Sequence, residues 1–245
     1  MTILEFEGIT NVRDVGGIPT ADGGRIRSGV LLRSGQLSTA TAGGAAALGA
    51  RVRHIIDLRD GEEVANEPSE IDGPETTHLP LFLGSVRSFF ESDTSLDELY
   101  LHLLEESGER LAAAVRIIAA GEPTLVHCTV GKDRTGVTVA LALSAVGADR
   151  EAVIADYALT ESQLPPERSR MLAAYLRSQH PEAVHALALA TQSPAPVMRR
   201  LLESIDERWG SAADYLRVQG LTEDELRALR EVLVESASTE PVHQG

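Results

Sequence analysis

Apolar positions along this chain switch between strand-like runs and helical spacing, and the switches outline its elements. Val30-Leu31-Leu32 reads as a short strand after Gly-rich turns in residues 1–37. Ser38 to Leu48 suits a helix opened by Ser38 or Thr41 and closed near Gly49. Val52 to Leu58 reads as a parallel strand. Gly61 to Pro80 is polar and Pro-bearing, hence loop, with His78 to Leu81 as a short strand. Leu111, Val115 and Ile118 share one helical face, which predicts a helix over Glu109 to Ala120 ending at Gly121. Thr124-Leu125-Val126 is a buried strand, and Val137 to Leu143 continues as helix. Asp149 can cap a helix carrying Val153 and Tyr157. Beyond Pro165-Pro166 the chain reads as helical, interrupted at Ser193-Pro194-Ala195-Pro196. The last helix starts with a Thr222…Glu225 capping box stapled by Leu221 and Leu226. This order predicts an α/β fold: a mostly parallel central sheet flanked by helices, with a helical C-terminal part over 165–235.

With 245 residues and 43% hydrophobic positions, the chain can bury a substantial core as one α/β domain or at most two small ones. A net charge of −15 argues against passive attraction to nucleic acid or anionic membrane surfaces. No apolar stretch approaches ~20 uncharged residues, so no membrane insertion is expected. The first residues lack the basic and apolar regions of an export signal, so cytoplasm is the default location. A single cysteine excludes an internal disulfide and suits a reducing compartment. The tail from Ser236 to Gly245 is polar and expected to fray. The oligomeric state has no signature in the sequence.

That one cysteine lies in His127-Cys128-Thr129-Val130-Gly131-Lys132-Asp133-Arg134-Thr135-Gly136, between the 124–126 strand and the 137–143 helix. A strand–loop–helix junction aims backbone N–H groups and a helix N-terminus at one point, where an anion is favoured. A Walker A loop would need Gly at 126 and Ser or Thr at 133, but those positions are Val and Asp. Zinc is not expected, since only His127 and Cys128 stand together and no second cysteine exists. A lone buried core cysteine would not require Gly131, Lys132, Arg134, Thr135 and Gly136 to follow in one loop.

The segment resembles the C-x5-R loop of the protein tyrosine phosphatase superfamily. In the form HCxxGKDRTG it is similar to the atypical bacterial tyrosine/lipid phosphatase family. Asn11-Val12-Arg13-Asp14-Val15-Gly16-Gly17, Leu32 to Leu37, Ile56-Asp57-Leu58-Arg59 and Ala155-Asp156-Tyr157 match that family's pattern in order. The resemblance implies a single phosphatase domain over 1–245 with a phosphatase-like sheet. It implies a cofactor-free and metal-free enzyme acting on phosphotyrosine proteins, with phosphoserine/threonine or phosphoinositides as further substrates. Cys128 would attack phosphorus as a thiolate, a form favoured by helix N-termini and nearby cations. Thr129, Val130, Gly131 and Lys132 would bind substrate in the loop. Arg134 would hold two phosphoryl oxygens with its planar fork. The resemblance supports Thr135 as the hydroxyl that steadies the sulfur as it leaves.

Lys132 adds positive charge expected at the pocket rim. Asp133 is either a general acid and water activator or the N-cap of the next helix. The protonating acid is open between Asp133, which is preferred, and Asp57 at the end of its strand. His127 is expected to hold the loop rather than act as a base, and Arg13 and Arg33 to form ion pairs or loop anchors near the site. Residues 82–107 form a candidate helical lid or an ordinary surface helix. Two rival functions remain: a phospho-residue binding module with negligible turnover, and a rhodanese- or arsenate-reductase-like enzyme. The second fits poorly, because rhodanese loops are one residue shorter and arsenate reduction generally draws on more cysteines.

Overall fold

The computed structural model describes residues 1–81, 93–179 and 184–236. Its main sheet contains β1 (Thr2–Ile3), β2 (Arg13–Asp14), β4 (Leu31–Ser34), β5 (His54–Asp57), β6 (Glu75–His78) and β7 (Thr124–His127), in the spatial order β1-β2-β4-β7-β5-β6. β4, β7, β5 and β6 run parallel, and β1 and β2 add an antiparallel edge. A separate ribbon pairs β3 (Arg25–Ile26) with β8 (Val234–Glu235).

Side chains alternate across a pleated strand, and here the alternation builds two cores. Leu31, Ile56 and Val126 join the larger cluster, whereas their neighbours Leu32, Ile55 and Leu125 join the smaller one on the other face. α1 (Ala42–Arg51) covers the smaller face with Leu48, and its N-cap is Thr41, whose hydroxyl accepts from the Gly44 amide at 3.1 Å.

Two departures from the sequence expectation fall between 61 and 80. A short helix, α2 (Gly61–Asn66), starts at a capping box formed by Asp60 and Glu63. Six residues are too few to show a helical period, so the capping box was its only signal. β6 covers Glu75-Thr76-Thr77-His78 rather than 78–81. It is a polar edge strand held by backbone pairing to β5, with no apolar alternation to announce it.

The larger face is covered by α3 (Leu96–Glu106), α4 (Gly108–Ala119), α5 (Asp133–Ala145) and α6 (Arg150–Gln163), while α7 (Pro166–Gln179) packs on α8 (Ala186–Thr191), which joins that face together with α9 (Ala195–Trp209), α10 (Ala212–Val218) and α11 (Glu223–Leu233). Every residue of α5 from Arg134 to Leu143 is buried, so it has no solvent face. α3 places Leu96, Leu99, Tyr100, Leu103 and Leu104 in the core. The described part of the 82–107 segment is therefore a core helix, and 82–92 lies outside the described residues. The expected frayed tail after Ser236 lies outside them too. At α11 the Thr222 hydroxyl accepts from the Glu225 amide at 3.2 Å, and the Glu225 carboxylate accepts from the Thr222 amide at 2.7 Å. Among the described residues no helix is long and apolar enough to cross a membrane.

Strand register brings the candidate site residues to one edge of the sheet. Ser34, His127 and Asp57 stand side by side at the carboxyl ends of β4, β7 and β5. The segments leaving them, Gly35-Gln36, Cys128 onward and Leu58-Arg59, therefore emerge from one sheet edge, the edge at which open α/β sheets gather ligands.

Candidate active site

Residues 128–132 turn sharply between β7 and α5, and their carbonyls are tied away from the turn. The Thr129 carbonyl accepts from the Gln36 amide at 3.0 Å. The Val130 and Gly131 carbonyls both accept from Asn11 Nδ2 at 3.1 Å, and Arg33 Nη2 donates to the Gly131 carbonyl at 2.8 Å. With three successive oxygens engaged outward, the peptide N–H groups are left to face the hollow of the loop, the arrangement that makes an anion nest. The Gly131 amide already points at Cys128 Sγ, 3.3 Å away. Gly131 has φ +73°, and a Cβ there would lie 2.2 Å from the Ser34 carbonyl oxygen, so no other residue fits.

The anchors are themselves fixed by a buried charge cluster. Arg13 Nε donates to Asp156 Oδ1 at 2.6 Å and Arg33 Nη1 to Asp156 Oδ2 at 2.5 Å. Arg13 Nη2 also reaches the Asp156 carbonyl at 2.8 Å and the Thr160 hydroxyl at 3.0 Å. Arg13 Nη1 donates to the Asn11 side-chain oxygen, which turns that amide's NH2 toward the loop. Burial and the neighbouring Arg33 lower the pKa of Arg13 to about 10, with Asp156 partly offsetting them. Arg13 thus stays charged at neutral pH. Burial would raise the Asp156 pKa, but the two arginines hold it below the ordinary value. Two cations and one anion leave net positive charge buried behind the loop, inside a protein of net charge −15.

Cys128 is buried, and so is Thr135, whose Oγ1 has no hydrogen-bond partner. His127 is fully buried, with Nδ1 3.3 Å from the Cys128 carbonyl and Nε2 3.7 Å from Asp57 Oδ2. Burial pushes its pKa from 6.5 down to about 4 against the opposing pull of Asp57, so the ring is neutral at neutral pH.

The two candidate acids sit in different surroundings. Asp57 is buried, and Arg59 occupies both its oxygens, with Nη2 at 2.7 Å and Nε at 3.0 and 3.1 Å, while the Arg59 amide adds a bond at 3.0 Å. Burial would raise its pKa, yet these bonds keep it below the ordinary carboxylate range. A carboxylate so held has no proton to give near neutrality. Asp133 is the first residue of α5 and partly exposed; Lys132 is the N-cap position, and no side chain caps the helix. Asp133 is therefore not an N-cap. Tyr100 donates to its Oδ1 at 2.7 Å.

Lys132 does not lie at the rim. Its ammonium is buried and donates to the carbonyls of Leu189, at 2.6 Å, and Gln192, at 2.9 Å, at the end of α8. Arg134 Nη1 and Nη2 meet the two oxygens of Glu63 at 2.5 and 2.8 Å. Burial disfavours the guanidinium charge, but the bonds from Glu63 and the charges of Cys128, Glu63 and Asp133 outweigh it and raise the Arg134 pKa. Glu63 also accepts from the Thr129 hydroxyl and from the Asp60 amide. Burial opposes its charge too, yet the Arg134 bonds lower its pKa to about 2. Sequence reasoning did not single out Glu63. The Asp60…Glu63 capping-box spacing was legible, but nothing local shows that the same carboxylate reaches the loop's arginine.

A sequence model described as "Tyrosine phosphatase family" matches residues 4–235, the whole loop and its anchors included. The chain belongs to that family. It is similar to the triple specificity protein phosphatase PtpB of Mycobacterium tuberculosis, at 30% identity over 96% of this chain and 100% of that protein. A putative tyrosine-protein phosphatase of Cupriavidus necator is 29% identical over 87% of this chain and 82% of its own length. A tyrosine-protein phosphatase of Nostoc commune is 28% identical over 80% and 70%. The crystal structure of TpbA from P. aeruginosa overlaps 69% of this chain and 89% of its own at a TM-score of 0.36 and 20% identity. The matched residues include the pinned loop and the sheet edge beneath it.

Three outcomes are expected from this geometry. Asp156→Ala leaves Arg13 and Arg33 buried without a counter-charge, so chemical denaturation should show a loss of about 3–5 kcal/mol. Glu63→Gln removes charge-assisted bonds to Arg134 and should cost about 1–3 kcal/mol in the same measurement. His127 is held neutral in the fold, so its contribution is complete above its unfolded pKa of 6.5 and is lost as pH falls toward 4. Unfolding free energies measured from pH 7 to 4 should drop by up to about 3 kcal/mol from this group. The drop should be shallower in a His127→Gln variant.

Proposed function

We propose that the protein hydrolyses phosphate monoesters through a phosphocysteine intermediate, with phosphotyrosine as its leading substrate. The observation that carries this reading is the outward tethering of three consecutive loop carbonyls around a buried Cys128 that interacts with Arg134. A trianionic transition state needs donors fixed in advance, and a loop whose N–H groups cannot turn away supplies them without reorganisation.

In the first step Cys128 Sγ forms a bond to phosphorus as the ester P–O bond breaks. The loop amides hold the non-bridging oxygens, and Arg134, whose Nη1 and Nη2 meet Glu63, adds its charge and its remaining Nε donor. Asp133 gives its proton to the departing oxygen, which leaves as a phenol or alcohol. In the second step water adds to phosphorus, Asp133 takes a proton from it, and the thiolate departs as inorganic phosphate forms. The unpartnered Thr135 hydroxyl is available to donate to that sulfur. Asp133 is favoured over Asp57 because its carboxyl group is partly exposed, whereas Arg59 encloses Asp57. A tyrosyl leaving group has a pKa of ~10 and asks less of the acid than an alkoxide does.

The similarity to a phosphatase described as of triple specificity supports a range wider than phosphotyrosine, with phosphoserine/threonine and phosphoinositides as secondary substrates. Lys132, as it stands, is committed to the end of α8 and contributes no free ammonium to a second phosphate.

Hydrolysis of p-nitrophenyl phosphate in EDTA tests the mechanism. Turnover should persist in the chelator and fall by at least ~1000-fold in Cys128→Ser, in line with the loss of a nucleophile. Activity that survives the substitution, or that the chelator removes, overturns the reading. Tight phosphate binding without turnover in the wild type would instead select the binding-module alternative.

A further inference from the structure

Two buried tyrosine hydroxyls that the mechanism above does not use lie in line with Asp133. Tyr100, from the core helix α3, donates to Asp133 Oδ1 at 2.7 Å, and the Tyr157 hydroxyl lies 2.7 Å from that of Tyr100. A phenol has one proton to donate. Tyr100 spends its proton on Asp133, so Tyr157 must donate to Tyr100, and the bonds run in one direction from α6 to the loop. The two rings meet edge to face, with centroids 6.0 Å apart and planes at 86°. Burial, with the charge of Asp133 next, raises the Tyr100 pKa well above its ordinary value, so the donor keeps its proton. Gly136 makes room for this arrangement, since a Cβ there would come within 3.0 Å of the Tyr157 ring. The glycine that closes the signature thus seats a tyrosine ring.

We propose that Tyr100 is the positioning residue for Asp133, holding Oδ1 as an acceptor so that Oδ2 is the oxygen that exchanges protons with the leaving group and water. The proposal rests on the reading of Asp133 as the proton donor. Oδ1 is further faced by the Lys132 ammonium at 3.5 Å, so both neighbouring donors gather on that oxygen and Oδ2 is left for the substrate. Without the Tyr100 bond the carboxyl group is free to rotate, and the fraction of time a proton faces the ester falls. The consequence depends on the leaving group, because a poor one needs the proton and an activated one does not.

The test is a series of aryl phosphates of decreasing leaving-group acidity, from p-nitrophenyl phosphate to a phosphotyrosine peptide, turned over by wild type, Tyr100→Phe, Asp133→Asn and the double variant. Tyr100→Phe should lower kcat on the phosphotyrosine peptide roughly tenfold, against less than about twofold on p-nitrophenyl phosphate, with KM little changed. The differential should vanish in the Asp133→Asn background. Tyr157→Phe, which disturbs the same packing but leaves the Tyr100 donation in place, should keep the wild-type dependence on the leaving group. A uniform loss across the series in Tyr100→Phe, or an equal loss in both backgrounds, reduces Tyr100 to a packing residue and overturns the proposal. Unchanged leaving-group dependence in Asp133→Asn removes the acid role itself and the proposal with it. A steepened dependence in Asp133→Asn but not in Tyr100→Phe removes the proposal alone.

Discussion

Outward tethering of the Thr129, Val130 and Gly131 carbonyls decides which way the peptide groups of the loop face. Peptide dipoles in a free loop would turn their oxygens as readily as their hydrogens toward a cavity, and an oxygen there would repel a phosphate. The groups that prevent it come from distant parts of the chain. Asn11 precedes β2, Arg33 belongs to β4, Gln36 follows β4, and Asp156 on α6 fixes both arginines. The antiparallel edge of the sheet, which adds little core, therefore matters mainly as a scaffold for these side chains.

A buried Arg–Asp–Arg cluster is an unusual way to stabilise a fold, because desolvating three charges is expensive. Its value here is directional. It orients the side-chain amide of Asn11 and one edge of Arg33 while leaving a net positive charge beneath the loop. α6 contributes twice at adjacent positions: Asp156 anchors the outer carbonyls, and Tyr157 begins the hydroxyl chain to Asp133. Loop and helix are thus joined on two sides.

The parts legible in the sequence were those with a local signature. Periodicity gave the buried strands around Leu125 and Ile56, the α5 run after Arg134 and the capped last helix, because each follows from side chains that are neighbours in sequence. The C-x5-R spacing located the cysteine and arginine for the same reason. Glu63, Tyr100 and the destination of Lys132 were not legible, since each matters through a partner 33 to 71 residues away in the chain. β6 was misplaced by three residues because its side chains are polar and its stability comes from backbone pairing. Asp57 shows the converse limit: the end of a parallel strand is a good place to look for an acid, and only the structure shows Arg59 enclosing it.

The small ribbon of β3 and β8 also bears on how the molecule is made. Arg25 and Ile26 pair with Glu235 and Val234, and Arg27 Nε reaches the Val232 carbonyl, 205 residues further along the chain. Contacts of such separation form late, after the entropy of closing so long a segment has been overcome. During synthesis β3 must wait for Val234 and Glu235 to emerge before this clasp can shut. The turns around Pro19 and Gly24 then remain open on the ribosome, so a nascent chain that already carries Cys128 still lacks its finished architecture.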